Sequence, residues 1–252
     1  MLLGKTHPAE NVIRLLAFPV STISTNLALP EAQKIYVGYS RHLFKSNLNE
    51  LYRSKELIAL FRNKIPPRSR TDFPKLAQWL NVQGNEPDFD LLGKFGLLPG
   101  GDGLLVYSAP SIRNGVYSIE FFVHGTRHTQ GEADGYHLKG DALKWCDEAR
   151  PGERLFPYLD VKNEFDPNAV VLRPERGTNV IGYVPQFYAH DVRRLLGKPA
   201  LAKTADFELL RNNADAPMQF RLLCRFTCAA GDDFRSFEDE AHEMLPKLVP
   251  TT

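Results

Sequence analysis

Hydrophobic and polar positions fall into short blocks along the chain, and their spacing predicts a succession of small elements. The run Val12-Ile13-Arg14-Leu15-Leu16-Ala17-Phe18 within 11–20 predicts a strand closed by Pro19. Lys34 to Tyr39 predicts a second, shorter strand. Leu48, Leu51, Tyr52, Ile58 and Phe61 share helical spacing, with Ser46 or Asn47 as cap and Pro66-Pro67 as the stop. Pro74 to Leu80, preceded by Asp72, predicts a short helix, and Phe89 to Phe95 one more helical turn. Leu104 to Tyr107 reads as a strand after the glycine turn Pro99-Gly100-Gly101-Asp102-Gly103.

The second half is richer in strand signals. Tyr117 to Val123 combines aromatic and β-branched residues and ends on a turn at Gly125. Leu138 to Glu148 carries only a partial pattern. Glu153 to Val161 alternates, with Leu155, Leu159 and Val161 on one side and Phe156 and Tyr158 on the other; Pro157 argues for an edge position or a bulge. Val170 to Arg173 and Val180 to Val184 flank a turn at 176–179. Pro185 suits the first turn of a helix that carries Phe187, Val192, Leu195 and Leu196 and ends at Gly197. After a connection over 198–204, Met218 to Phe226 predicts a strand with Met218, Phe220, Leu222, Cys224 and Phe226 on its buried face.

Composition narrows the class without deciding function. With 252 residues, 43% hydrophobic and 24% charged, the chain suits one large or two small cores. A net charge of +1 gives no global field for DNA or membranes. No apolar run approaches a membrane span, and three cysteines, an odd count, give no disulfide framework. A reducing, cytoplasmic setting is the expectation. Locally, 41–75 holds nine basic and three acidic residues, 9 − 3 = +6. That segment reads either as a phosphate-contacting surface or as a solvated helix face.

The chemistry-bearing stretches are few. The glycine cluster at 100–103 lacks the Lys-Ser or Lys-Thr of a nucleotide loop. No catalytic motif stands out, and no cofactor or metal is expected; His124 with His128, and Cys224 with Cys228, are isolated pairs. Asp160, Glu164 and Asp166 form an acidic cluster that reads as a hydrated turn or, less simply, as a metal-dependent nuclease site. Asn163-Glu164-Phe165-Asp166-Pro167-Asn168 is turn chemistry, in which Asn and Asp side chains bond nearby backbone N–H groups.

Gly125 with Arg127, then Asn163-x-Phe165-Asp166-Pro167-Asn168-Ala169-Val170, then Ile181-Gly182-Tyr183-Val184-Pro185, in that order, resemble the HIRAN domain over about residues 117–197. The flanks are similar to those of stand-alone bacterial members. The resemblance implies a small OB-like β-barrel that binds single-stranded DNA and recognises a free 3′-hydroxyl end. It implies a phosphate contact for Arg127, base stacking for His128 and Phe165, and a hydrogen bond from the terminal hydroxyl to Asp166. Asn163 would be a polar neighbour in that pocket, and Tyr183 would lie near a second phosphate. Gln186 stands where DNA-binding members carry Lys. Between Tyr117 and Lys198 eleven basic residues face twelve acidic ones, 11 − 12 = −1, so 41–75 is the segment with charge to add.

The expected architecture is therefore α+β. An N-terminal α+β region covers 1–112, a HIRAN-like, OB-like barrel covers 113–198, and a C-terminal strand and tail cover 199–252. The expected function is non-enzymatic binding of DNA, single-stranded or end-containing. The alternatives are a protein-interaction module with a vestigial DNA pocket and a metal-dependent nuclease.

Overall fold

The computed structural model describes residues 2–7, 10–15, 59–95, 106–126, 142–175 and 180–239. The chain divides into two compact units, one of 1–77, 82–109 and 244–252, the other of 78–81 and 110–243.

In the first unit, β1 (Leu2–His7) and β2 (Glu10–Leu15) form an antiparallel hairpin. Helices α1 (Ala59–Arg62), α2 (Phe73–Trp79) and α3 (Asp88–Phe95) follow. β3 (Val106–Ser108) then pairs with β1 in parallel. Strand β1 has no counterpart in the predicted elements, because Gly4, Lys5, Thr6 and His7 break any alternation. Its place comes from pairing on both sides, a non-local effect. Leu91, Leu92, Phe95, Phe73 and Ala77 are buried, and the rings of Phe73 and Phe95 stack at 5.8 Å. The predicted strand at 34–39 and the greater part of the predicted helix at 48–61 lie outside the described residues. In the described part of the basic segment, Arg68 pairs with Asp88 at 3.0 Å and Arg70 with Asp72 at 2.6 Å. Both pairs are exposed, so each adds little to stability.

The second unit is one seven-stranded sheet with helices. It begins with β4 (Ser111–Arg113) and β5 (Val116–Phe122), joined by Asn114-Gly115, both at positive φ (52° and 71°). Asn-Gly suits a two-residue hairpin turn because both residues tolerate this backbone. Helix α4 (Ala142–Glu148) is followed by β6 (Arg154–Leu159), β7 (Val170–Pro174) and β8 (Gly182–Tyr183). Helices α5 (Gln186–Leu196) and α6 (Pro199–Ala202) and strands β9 (Asp206–Asn212) and β10 (Leu222–Ala229) complete it. The strand order is β4-β5-β10-β9-β6-β7-β8, antiparallel throughout. Among the described residues a bridge from His124 to Tyr183 joins the chain beyond β5 to β8, where the sheet curls into a half-barrel.

Strand β10, which overlaps the strand expected in a C-terminal part beyond 198, and strand β9, which has no predicted counterpart, lie in the middle of this sheet. The predicted strand at 218–226 also changes form. Met218–Phe220 is a 3-10 turn: Pro217 sits at φ −52°, and the Phe220 N–H donates to the Pro217 carbonyl at 2.8 Å. Strand β10 begins only after it, and its register against β9 shifts between Leu223 and Cys224, where Leu210 of β9 is the extra residue. Pro157 is accommodated because β6 pairs with β9 only at Arg154 and Leu155, so by Pro157 that side is an edge.

The inner face of the sheet is apolar. The cross-strand row Ile119, Phe226, Phe207 and Leu155 is buried, and the rings of Phe207 and Phe226 stack at 4.3 Å. Helix α5 contributes Tyr188, Ala189, Val192 and Leu195 to the buried core. Asp191 is also buried, 1% exposed, and both its carboxylate oxygens accept from the Phe237 N–H at 3.1 Å. Arg194 donates to the Arg235 carbonyl at 2.9 Å and pairs with Glu238 at 2.8 Å. Residues 235–238 are thus strapped along α5. The three cysteines are buried free thiols, and burial pushes the Cys146 thiol up to about 11.

Candidate nucleic-acid interface

The loop between β6 and β7 is held by its own side chains. The Asn163 carboxamide oxygen accepts from the N–H groups of Phe165 (3.0 Å) and Asp166 (2.9 Å), while its amide donates to Asp160 at 3.0 Å. Asp166 in turn accepts from the Asn168 N–H at 2.8 Å. The Asp160 N–H donates to the Ala169 carbonyl at 3.0 Å and closes the base of the loop. These are bonds between residues two to nine apart, the kind that Asn and Asp make in turns. They leave the Phe165 ring outside any core: it is 86% exposed, more than any other large apolar side chain among the described residues.

The neighbouring strands supply the rest. The Tyr183 hydroxyl donates to the same Asp160 oxygen at 3.4 Å, tying β8 to the loop. Tyr183 and His124 exchange backbone hydrogen bonds at 2.8 and 3.0 Å, which anchors the segment leading to Gly125. Gly125 is at φ +73°, and a Cβ there would lie 3.1 Å from the Tyr183 ring. The His124 ring packs edge-on against Phe187 at 6.0 Å, and desolvation lowers its pKa.

Asp166 is half-buried, and desolvation raises its pKa. The Asn168 N–H and the Arg193 guanidinium pull the other way. Arg193, on α5, has a buried Nη1 with no hydrogen-bond partner. Of the six residues singled out from sequence, the structure brings Asn163, Phe165, Asp166 and Tyr183 to one loop and its adjoining strand, with Asn163 and Asp166 bonded into the turn. Arg127 and His128 lie outside the described residues. Two participants were not among the six, Asp160 and Arg193. Asp160 had been read only as a turn or metal carboxylate, and no local pattern marks Arg193, which α5 carries into place.

The acidic cluster does not gather. One Asp160 oxygen is taken by Asn163 and Tyr183, and one Asp166 oxygen by Asn168. Among the described residues no group of three or more His, Cys, Asp or Glu side chains is placed to hold a metal ion. Among them, too, no helix is long and apolar enough to cross a membrane.

Residues 116–226 match the family model of the HIRAN domain. This part of the chain is a HIRAN domain. The match takes in β5 to β10, so the sheet's central strands belong to the HIRAN domain. Its fold is α+β, an OB-like antiparallel half-barrel with a few helices. The HIRAN domain is a type known in nucleic-acid binding. The HIRAN domain of human HLTF is similar over 46% of this chain and 77% of its own, at 16% identity and a TM-score of 0.32. A protein from Lactobacillus plantarum is similar over 46% of this chain and 100% of its own, at 12% identity and a TM-score of 0.32. A comparison with curated proteins finds no match.

Replacing Asn163 with alanine removes an acceptor shared by two backbone N–H groups. A loss of about 1 kcal/mol in unfolding free energy is expected in urea titrations. An unchanged midpoint would mean that the loop does not need this side chain.

Proposed function

We propose that this chain binds DNA through its HIRAN domain, gripping a single-stranded segment or a free 3′-hydroxyl end at the β6–β7 loop. The observation that carries this reading is Phe165, an 86% exposed ring presented by a hydrogen-bonded loop beside a half-buried carboxylate. An exposed ring held on a braced loop offers a base a stacking face with little ordering cost. In this reading Phe165 and His128 stack on bases, Arg127 holds a phosphate, and Asp166 accepts a hydrogen bond from the terminal hydroxyl. Asn163 keeps the loop in shape, and Tyr183 faces a second phosphate. Arg193 adds a cation beside Asp166. The carboxylate gives the site its end preference, because it attracts a hydroxyl donor and repels a terminal phosphate.

The test is a binding titration with a labelled oligodeoxynucleotide ending in a 3′-hydroxyl, against the same oligonucleotide ending in a 3′-phosphate. The hydroxyl form is expected to bind at least tenfold more tightly. Phe165→Ala is expected to weaken that binding by about tenfold or more, with an unchanged thermal midpoint because the ring contributes no core. Equal affinity for the two ends would remove Asp166 from its role. Full binding by Phe165→Ala would remove stacking. A chain that binds neither oligonucleotide would favour the protein-interaction alternative.

A further inference from the structure

The outer face of the seven-stranded sheet is divided into two unlike halves. Across β5, β10, β9 and the start of β6 runs a ladder of opposite charges: Glu120, Arg225, Glu208 and Arg154, directly paired strand to strand. Arg225 meets Glu120 at 2.9 Å and Glu208 at 3.8 Å, and Arg154 meets Asp206 at 3.4 Å. This half satisfies its own charges and is an ordinary solvent face.

The other half, across β6, β7 and β8, is aromatic. Phe156 and Tyr158 project from β6 on this side, opposite Arg173 and Val171 of β7, and Val171 is in turn opposite Tyr183 of β8. Phe156 is 41% and Tyr158 50% exposed, although rings of this size are normally buried. The Arg173 guanidinium lies over the Tyr158 ring, 5.0 Å from its centre. Arg154, two residues before Phe156 on the same face, marks the border with the charged half, where it pairs with Asp206. The row leads along β6 through Asp160 into the loop that presents Phe165.

We propose that this aromatic half carries single-stranded nucleic acid onward from Phe165, with successive bases on Tyr158 and Phe156 and the backbone phosphate at Arg173. This rests on the function proposed above and extends its footprint. Three features favour a nucleic acid strand. Residues two apart on a strand are about 6.7 Å apart, about twice the 3.4 Å step of a stacked strand. A strand drawn out to that step exchanges each base–base stack for a ring. The Arg173 guanidinium lies over the Tyr158 ring, so that face is open to a planar group, and a base takes its place as the guanidinium turns to the phosphate. Arg173, directly opposite Phe156 on the neighbouring strand, sets a cation among the rings, which complements a polyanion rather than an aliphatic partner.

The experiment uses the full chain and fluorescein-labelled oligothymidylates of three, six and ten nucleotides, each with a free 3′-hydroxyl. Affinity is expected to rise with length in the parent. The double variant Phe156→Ala/Tyr158→Ala is expected to bind the trimer as the parent does and to lose about tenfold per ring on the decamer. Arg173→Gln keeps the exposed rings and is expected to lower the salt dependence of decamer binding by about one unit of slope. A parent that binds trimer and decamer equally, or variants that retain the length dependence, would overturn the extension and leave the Phe165 site standing. The second of those results is also what a face reserved for a protein partner would give. Failure of every oligonucleotide to bind would remove both readings together.

Discussion

Gly182→Ala is expected to lower the stability of the HIRAN domain by about 2–5 kcal/mol, the sum of backbone strain and overpacking. Gly182 sits at φ +145°, a backbone region that side chains avoid. A Cβ there would meet the His124 carbonyl oxygen at 2.5 Å and would also collide with Val123 Cγ1. The first obstacle is backbone, held by the reciprocal hydrogen bonds of His124 and Tyr183, so no side-chain rotation relieves it. The variant would have to open the bridge between His124 and Tyr183. At about 2–4 °C per kcal/mol, the thermal midpoint should fall by about 4–20 °C. Because Tyr183 is the next residue, oligonucleotide binding should weaken as well. A shift below about 2 °C would show that β8 can move aside freely.

The stability of the second unit is expected to decline as pH rises from about 4 to about 7, and Asp191 is the cause. Burial raises its carboxyl from an ordinary 3.8 to about 7, against the opposing pull of the Phe237 N–H, Arg194 and Tyr117. A folded-state pKa above the unfolded one means that the native state holds the proton more tightly. Its stabilising share is complete below the unfolded value and is lost as pH climbs to the folded one. The shift is worth on the order of 4 kcal/mol at full effect. Asp191→Asn keeps an acceptor for the Phe237 N–H and cannot ionise. Unfolding free energies measured from pH 4 to 8 should give a parent-minus-variant difference that falls with pH and levels off above about 7. Taking the difference cancels groups elsewhere in the fold that do not interact with Asp191. A flat difference would show that the carboxylate ionises inside the fold at no cost.

What could be read from the chain follows the range of the interactions. The Asn163–Asn168 loop is made by side chains bonding their near neighbours, so residue types alone announce it. The turns into and out of α5, at Pro185 and Gly197, are equally local. The β6–β7–β8 meander was legible because consecutive strands pair. Strand β1 was not, since its residues carry no alternation and only its partners make it a strand. The place of β9 and β10 was not legible either, because insertion between β5 and β6 leaves no mark in local spacing. In the candidate site, Phe165 and Asp166 stood out in the motif. Asp160 joined them through Asn163, three residues on, and through Tyr183, 23 residues on; Arg193 joined through α5, 27 residues beyond Asp166.

The strand order carries a consequence for how the molecule is made. β5 and the β6–β8 meander leave the ribosome first, yet the two strands that join them, β9 and β10, come last. Until residue 229 has emerged, β5 and β6 each lack the strand that flanks them in the finished sheet. Truncations ending near 198 should therefore be sticky and prone to coalesce, and the half-barrel should set only after translation has passed its closing pair of strands.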